Sequence, residues 1–375
     1  GIAVVAMTVF GVLGLTGLVS LLRRDSRAAL AALAMLGLFT VALIFYLNFK
    51  YGYSIYPDRP SLPREVRERD YFFVGSFAYF GTLVALGFGV LMRWLAGAAA
   101  PGEAATDQAR WMKATPVLVL ALVPLFGNRV TASRAGETIP RDFAVDLLES
   151  VEPYGILITA GDNDTFPLWY AQEVEGIRQD VTLANLSLMN TEWHLRQLRR
   201  RETPPFDPGK ADDIWRPSEQ SDSQSARLPA AAYTHPDTPV FRLDEEDLDS
   251  LPEIMRAPAQ STLQFGEVTI QLGSDLLDRK HLATIFLIRD NPGRRPIYFS
   301  WSAGGYPDQT LGLTPYLVSH GLVRKLEQRA LEEEPPVILS RGMGWVGLER
   351  TRKLFWDVYH WEAAARPRPY GWVDA

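Results

Sequence analysis

The sequence predicts a membrane anchor of four transmembrane α-helices followed by an extracytoplasmic α/β domain of the Rossmann-like kind. Three observations lead there. Four long apolar runs crowd the first third of the chain. Residues 155–191 then read as strand, polar turn, helix and strand. Beyond them, short buried-strand runs alternate with amphipathic helical patterns, which marks α/β architecture.

Residues 2–22 form an apolar run about as long as a bilayer core is thick. Arg23, Arg24 and Arg27 follow it. Residues 28–47 and 71–91 are the second and third runs. Residues 111–126 are the fourth, shorter, with Lys113 and Pro116 near its start. A signal peptide accounts for one such run, not four. The anchor is therefore placed at residues 1–127 and the α/β domain at 128–375. Basic residues nearly balance between the loops at 23–27 and 92–113 and the loop at 48–70. The reading leans to the first two loops being cytoplasmic, which puts Asn128 onward outside. A bacterial inner-membrane protein with a periplasmic domain is expected. Residue 1 is Gly, inside the first run, which fits a processed N-terminus or the tail of a longer membrane protein. Gly11, Gly14 and Gly17, with Gly81, Gly87 and Gly89, are read as close-approach positions for helix packing. The expected partners are membrane lipids and other integral membrane subunits.

The chain has 375 residues, enough for two domains. It has no cysteine, which removes disulfides, thiolate metal sites and cysteine nucleophiles. A formal charge of -6 argues against a nucleic-acid partner. No cofactor is expected. No Gly-rich loop ends in Gly-Lys-Ser/Thr, and no Cys-x-x-Cys-His occurs. His194, His235, His281, His320 and His360 have no His-Glu-x-x-His spacing. Ser300-Trp301-Ser302 lacks the Gly-x-Ser-x-Gly frame of a nucleophile elbow.

In the second part, residues 141–151 read as a helix with Ala144, Leu147, Leu148 and Val151 inward. Residues 156–159 are a buried strand closed by Gly161. Asp164 or Thr165 caps the next helix, whose face carries Phe166, Trp169, Tyr170 and Val174 until Gly176. Residues 181–188 are the second strand, and the close spacing predicts a parallel, right-handed unit. The polar turn then sits at the C-terminal strand edge, where such folds place ligands. Residues 192–201 read as a short basic helix. Residues 202–260 are a Pro/Ser/Asp-rich insertion, either an ordered wrap or a mobile loop. Residues 262–272 read as a strand or hairpin, 276–289 as a helix and 296–301 as a strand. Residues 315–331 and 349–361 read as the last two helices.

Two charged groupings invite a chemical reading. Asp162 and Asp164 form an Asp-x-Asp pair after a strand, which in some transferases holds a divalent metal. The turn reading, with one carboxylate capping and the other bonding amides, is preferred. Arg64, Arg67 and Arg69 lie in a dense charge cluster before the third apolar run. They suit a phosphate, but an ion-pair network or a docking contact for the soluble domain is preferred.

Four stretches carry a resemblance: RERDYFF at 67–73, GDNDTFPLWY at 161–170, NLSLMNT at 185–191 and RPIYF at 295–299. In this order they resemble a bacterial family of multi-spanning membrane proteins related to the animal transmembrane protein O-mannosyltransferase. The resemblance covers most of residues 48–375. It implies a membrane-embedded GT-C glycosyltransferase with a lipid-phosphate sugar donor and an extracytoplasmic α/β domain. In such enzymes the catalytic carboxylate lies in the first extracytoplasmic loop. No acidic residue precedes Asp25, so no catalytic residue is carried over and the motifs are read as fold-defining. Two functions follow. The first is a non-catalytic structural subunit of a larger membrane complex, photosynthetic or respiratory for example. The alternative is the C-terminal portion of a GT-C protein O-glycosyltransferase. The first is the expectation for the chain as read.

Overall fold

The computed structural model describes residues 2–46, 70–98, 107–215, 234–257, 262–273 and 276–366. They fall into two compact units, one ending at Ser133 and one spanning Arg134–Arg368.

In the first unit, α1 is Ile2–Arg24 and α2 begins at Ser26–Gly37. Asp25 starts α2 by accepting the backbone N–H groups of Arg27 and Ala28, both at 3.0 Å. The helix continues through a π segment, Leu38–Ala42, into Leu43–Tyr46. α3 is Val74–Ala98. α4, Asp107–Ala114, runs into a tighter 3-10 stretch, Thr115–Leu122, and then Val123–Gly127. Pro116 and Pro124 interrupt the ordinary helical ladder there, since neither has an N–H to donate. Val4–Arg24, Ser26–Phe45, Val74–Gly97 and Arg110–Gly127 are each long and apolar enough to cross a membrane. Their side chains are largely bare: Leu15 is 64%, Phe45 81% and Phe126 68% exposed. Apolar surface of that extent suits lipid rather than water.

α1 and α3 pack through glycine. A Cβ on Gly17 would overlap the Leu83 carbonyl, and one on Gly87 would overlap the Leu13 carbonyl. The backbones therefore touch, in the manner of small-residue membrane interfaces. Leu13, Val84 and Phe88 form the small core beside this contact. A Cβ on Gly14 would lie 2.7 Å from the Phe80 ring. Gly14 and Gly17 are thus spent inside the chain rather than on a partner helix. Of the other positions read as close approaches, Gly87 packs against backbone, whereas a Cβ on Gly11, Gly81 or Gly89 would meet nothing within 4 Å.

The second unit is built on a mixed sheet of seven strands. α5 is Ile139–Glu149, β1 Ile156–Thr159, α6 Asp162–Glu173, β2 Thr182–Asn185 and α7 Glu192–Arg200. After α8, Glu245–Asp249, come β3 Ile254–Arg256, β4 Thr262–Phe265, β5 Val268–Gln271 and β6 Leu276–Asp278. α9 is Arg279–Asp290, followed by β7 Ile297–Ser300, β8 Leu317–His320 and β9 Val323–Leu326. β10 Val337–Ser340, β11 Gly344–Gly347 and α10 Leu348–Lys353 follow, and α10 continues as a π segment, Leu354–Val358, before a short helix, Glu362–Ala365. The sheet order is β10-β11-β8-β9-β7-β1-β2. β1 is parallel to both β2 and β7, and β8–β9 is an antiparallel hairpin. β3–β6 and β4–β5 form two small antiparallel pairs.

Alternate residues of β1 feed two cores. Ile156 and Ile158 join α7 and α9 through Leu195, Ala283 and Leu287. Leu157 joins α5 and α6 through Leu147, Leu148 and Leu168. Helices cover both faces, so every residue of β1, β2, β7 and β8 is buried.

Several expectations change here. Residues 315–331 are not a helix: β8 and β9 turn back at Gly321-Leu322, with Gly321 at φ 58°. Burial on both faces removed the alternation that would have marked strands. Residues 276–289 start as β6, and the helix begins only at Arg279. The 262–272 stretch resolves into the hairpin β4–β5. The β10–β11 pair has no counterpart in the sequence reading. The described flanks of the 202–260 insertion are an ordered wrap, with Trp215 and Phe241 fully buried.

Candidate functional site

β1, β2 and β7 run parallel and end on one edge, each on a polar residue: Thr159, Asn185 and Ser300. The turn Ala160-Gly161 leads from β1 into α6, which starts at Asp162, earlier than the sequence reading placed it. Asp164 is the third residue of that helix and is 3% exposed. Its carboxylate accepts the backbone N–H of Ala160 at 3.0 Å and of Gly161 at 3.1 Å. It also accepts the hydroxyls of Thr165 at 3.1 Å, Ser300 at 3.2 Å and Ser302. Asp164 thus turns back to cap the helix it belongs to, the reciprocal half of a capping box.

The network extends sideways. Thr165 and Thr159 share a hydroxyl bond of 2.7 Å, and Asn185 Nδ2 donates to Thr165 Oγ1 at 2.8 Å. Asn185 Oδ1 accepts Leu188 N at 2.9 Å, and Ser187 donates to Ala160 O at 3.0 Å. The ends of three strands are tied through one carboxylate. Five donors converge on this carboxylate, which offers roughly four lone-pair sites. Asp162 is exposed and takes no part. Asp162 and Asp164 thus share no hydrogen-bond partner among the described residues. Among the described residues no group of three acidic or imidazole side chains could hold a metal ion. Arg64, Arg67 and Arg69 lie outside the described residues.

The opposite strand ends hold a second buried network. Arg178 is 3% exposed, and its guanidinium grips Asp180 through two bonds of 3.0 Å. It also donates to Leu148 O at 3.0 Å and Val151 O at 2.9 Å. The rings of Phe206 and Trp215 lie 5.3 and 5.8 Å from it. Burial alone would lower its pKa, but Asp180 and Glu149 hold it above the ordinary value. Asp180 also accepts Tyr154 N at 3.0 Å. Tyr154 and Arg178 both adopt positive φ, 63° and 44°, a conformation that persists only where surrounding bonds impose it. Glu152, beside them, meets Lys325 and Arg350, each at 3.3 Å. Burial pushes its carboxyl up, and these two cations more than reverse that, leaving it below the ordinary value.

The sequence reading missed Asn185, Ser300 and Ser302 as partners of Asp164, and missed the Arg178–Asp180 grip. One signal was present: each of the segments ILIT, TLAN and IYFS ends an apolar run on a hydrogen-bonding residue. The motifs at 161–170 and 185–191 meet at the edge held by Asp164, whereas 295–299 enters β7 from its opposite end and stops one residue short of Ser300.

Apolar helices and a mixed α/β sheet domain define a membrane protein bearing an α/β domain. Residues 140–209, which hold β1, α6, β2, α7 and the Arg178 grip, match the family model TMEM260-associated domain 2. Over 95 residues the chain is 30% identical to the protein O-mannosyl-transferase TMEM260 of Mus musculus. That match covers 25% of this chain and 13% of the mouse protein. No solved structure matches significantly. The chain is related to the TMEM260 family through this domain. Neither match supports the structural-subunit reading.

Proposed function

We infer that this chain is part of a GT-C-like protein O-glycosyltransferase that uses a lipid-phosphate sugar donor. The observation that carries this reading is the match of residues 140–209 to a domain associated with an O-mannosyl-transferase. The four apolar helices support it, because a lipid-linked donor has to be reached within a membrane. On this reading the α/β domain lies outside the cytoplasm, as the basic-residue lean suggests. The domain's role is then architectural. Asp164, the buried carboxylate at the strand edge, is committed to fold bonds and is assigned no chemistry.

The test is deletion of the gene in its own host, followed by mass-spectrometric mapping of O-linked hexose on exported proteins. Loss of glycopeptides, restored by the intact gene, is the expected result. An unchanged glycopeptide set overturns the reading. Native mass spectrometry from mild detergent supplies a second arm: stoichiometric membrane partners with no transfer activity would favour a structural subunit instead.

A further inference from the structure

The α/β unit carries a cavity of about 450 Å³, within the range of small-molecule sites. It lies between the turn of the β4–β5 hairpin, the loop entering β7 and the stretch leaving β9. Phe265, Ile288 and Leu326 give it an apolar lining. Four cations also line it, and their partners decide its character. Lys325 is neutralised by Glu152 at 3.3 Å and Glu327 at 3.1 Å. Arg329 is paired with Glu267 at 3.5 Å. Arg294 and Arg295 form no ion pair among the described residues. The Arg294 side chain donates to the Thr238 hydroxyl at 3.3 Å. Arg295 is 4% exposed, bonds the Asn291 side chain and the Thr238 carbonyl, and leaves its Nε–H without an acceptor.

The loop fixes both arginines. Gly293, at φ 68°, turns the chain so that Arg294 N and Arg295 N both donate to Asn291 O, at 3.1 and 3.2 Å. Burial, reinforced by Arg294, pushes the Arg295 pKa down to about 10, so it stays charged at neutral pH. Asp237 offsets part of this from nearby, but it forms no ion pair with either guanidinium, and two adjacent unpaired cations suit a dianion. A phosphoryl group carries nearly two charges and matches the guanidinium fork.

We propose that this cavity binds a phosphoryl-bearing small molecule through Arg294 and Arg295. The site is independent of the glycosyltransferase reading: it stands on the α/β unit alone and is tested without sugar transfer. The experiment is calorimetric titration of the full chain in mild detergent. The probes are inorganic phosphate, glucose 1-phosphate and short-chain phosphatidic acid, with glucose as the uncharged control. Binding of at least one phosphoryl probe is expected, weakened about tenfold or more in Arg294→Gln and Arg295→Gln, with no binding of glucose. Preference for glucose 1-phosphate assigns a soluble ligand, and preference for phosphatidic acid assigns a lipid headgroup. Both support the site. Arg294 is exposed, so Arg294→Gln decides the matter even if Arg295→Gln fails to fold. Absence of binding by every phosphoryl probe, or equal binding by wild type and Arg294→Gln, overturns it.

Discussion

Asp164 shows how one side chain sets an edge. Removing its carboxylate strips five acceptor contacts and leaves the N–H groups of Ala160 and Gly161 without partners. Asp164→Ala is expected to cost about 3 kcal/mol or more, read as a drop in thermal or denaturant stability of the full chain. A loss below about 1 kcal/mol would mean that water replaces the network freely. Glu152 gives a pH signature. Its folded pKa lies below the unfolded value, so its stabilisation is present above about pH 4.3 and fades as pH falls through the folded pKa. Glu152→Gln is expected to lower stability at pH 7 and to flatten the acid limb of the stability curve. An acid limb identical to wild type would remove Glu152 from that account. Glu149 acts with the opposite sign: burial, only partly offset by Arg178, raises its pKa, so its charge is a cost at neutral pH.

At the scale of elements, the helix pair α1–α3 is specified by two glycines out of several. Gly17 and Gly87 sit against backbone carbonyls, whereas a methyl group added at Gly11 would meet nothing within 4 Å. Gly17→Leu is expected to destabilise the membrane part by about 3 kcal/mol or more, because backbone cannot yield as a side chain does. Gly11→Leu is expected to change it by less than about 0.5 kcal/mol. Thermal unfolding in detergent compares them, and equal effects would mean that the backbones do not touch there. The 315–331 stretch carries the converse lesson. Val318, Leu322 and Leu326 keep a helical spacing, yet the chain folds as a hairpin. The glycine at 321, which takes φ 58° in the turn, was the usable signal rather than the apolar period.

At the scale of the molecule, the apolar helices and the α/β character were legible because both rest on local pattern. A run of residues long enough for a bilayer is a property of consecutive positions. The strand–turn–helix–strand order of residues 155–191 is likewise local, and the parallel pairing of β1 with β2 follows from it. The glycopeptide experiment belongs here, since it tests the whole assembly and no single group. Its failure would leave the Asp164 and Gly17 predictions standing, as those depend on packing alone.

The sequence by itself determined the membrane helices, the α/β class, the polar turn at a strand edge and the kinship of the domain. Each is written in short windows of hydrophobic period and turn chemistry. Only the tertiary structure decided what Asp164 bonds, because Ser300 and Ser302 reach it across more than a hundred residues of chain. It likewise decided which glycines pack, where β8–β9 and β10–β11 join the sheet, and which cations on the cavity form no ion pair among the described residues. Those outcomes depend on which groups meet in space, and sequence separation carries no record of that.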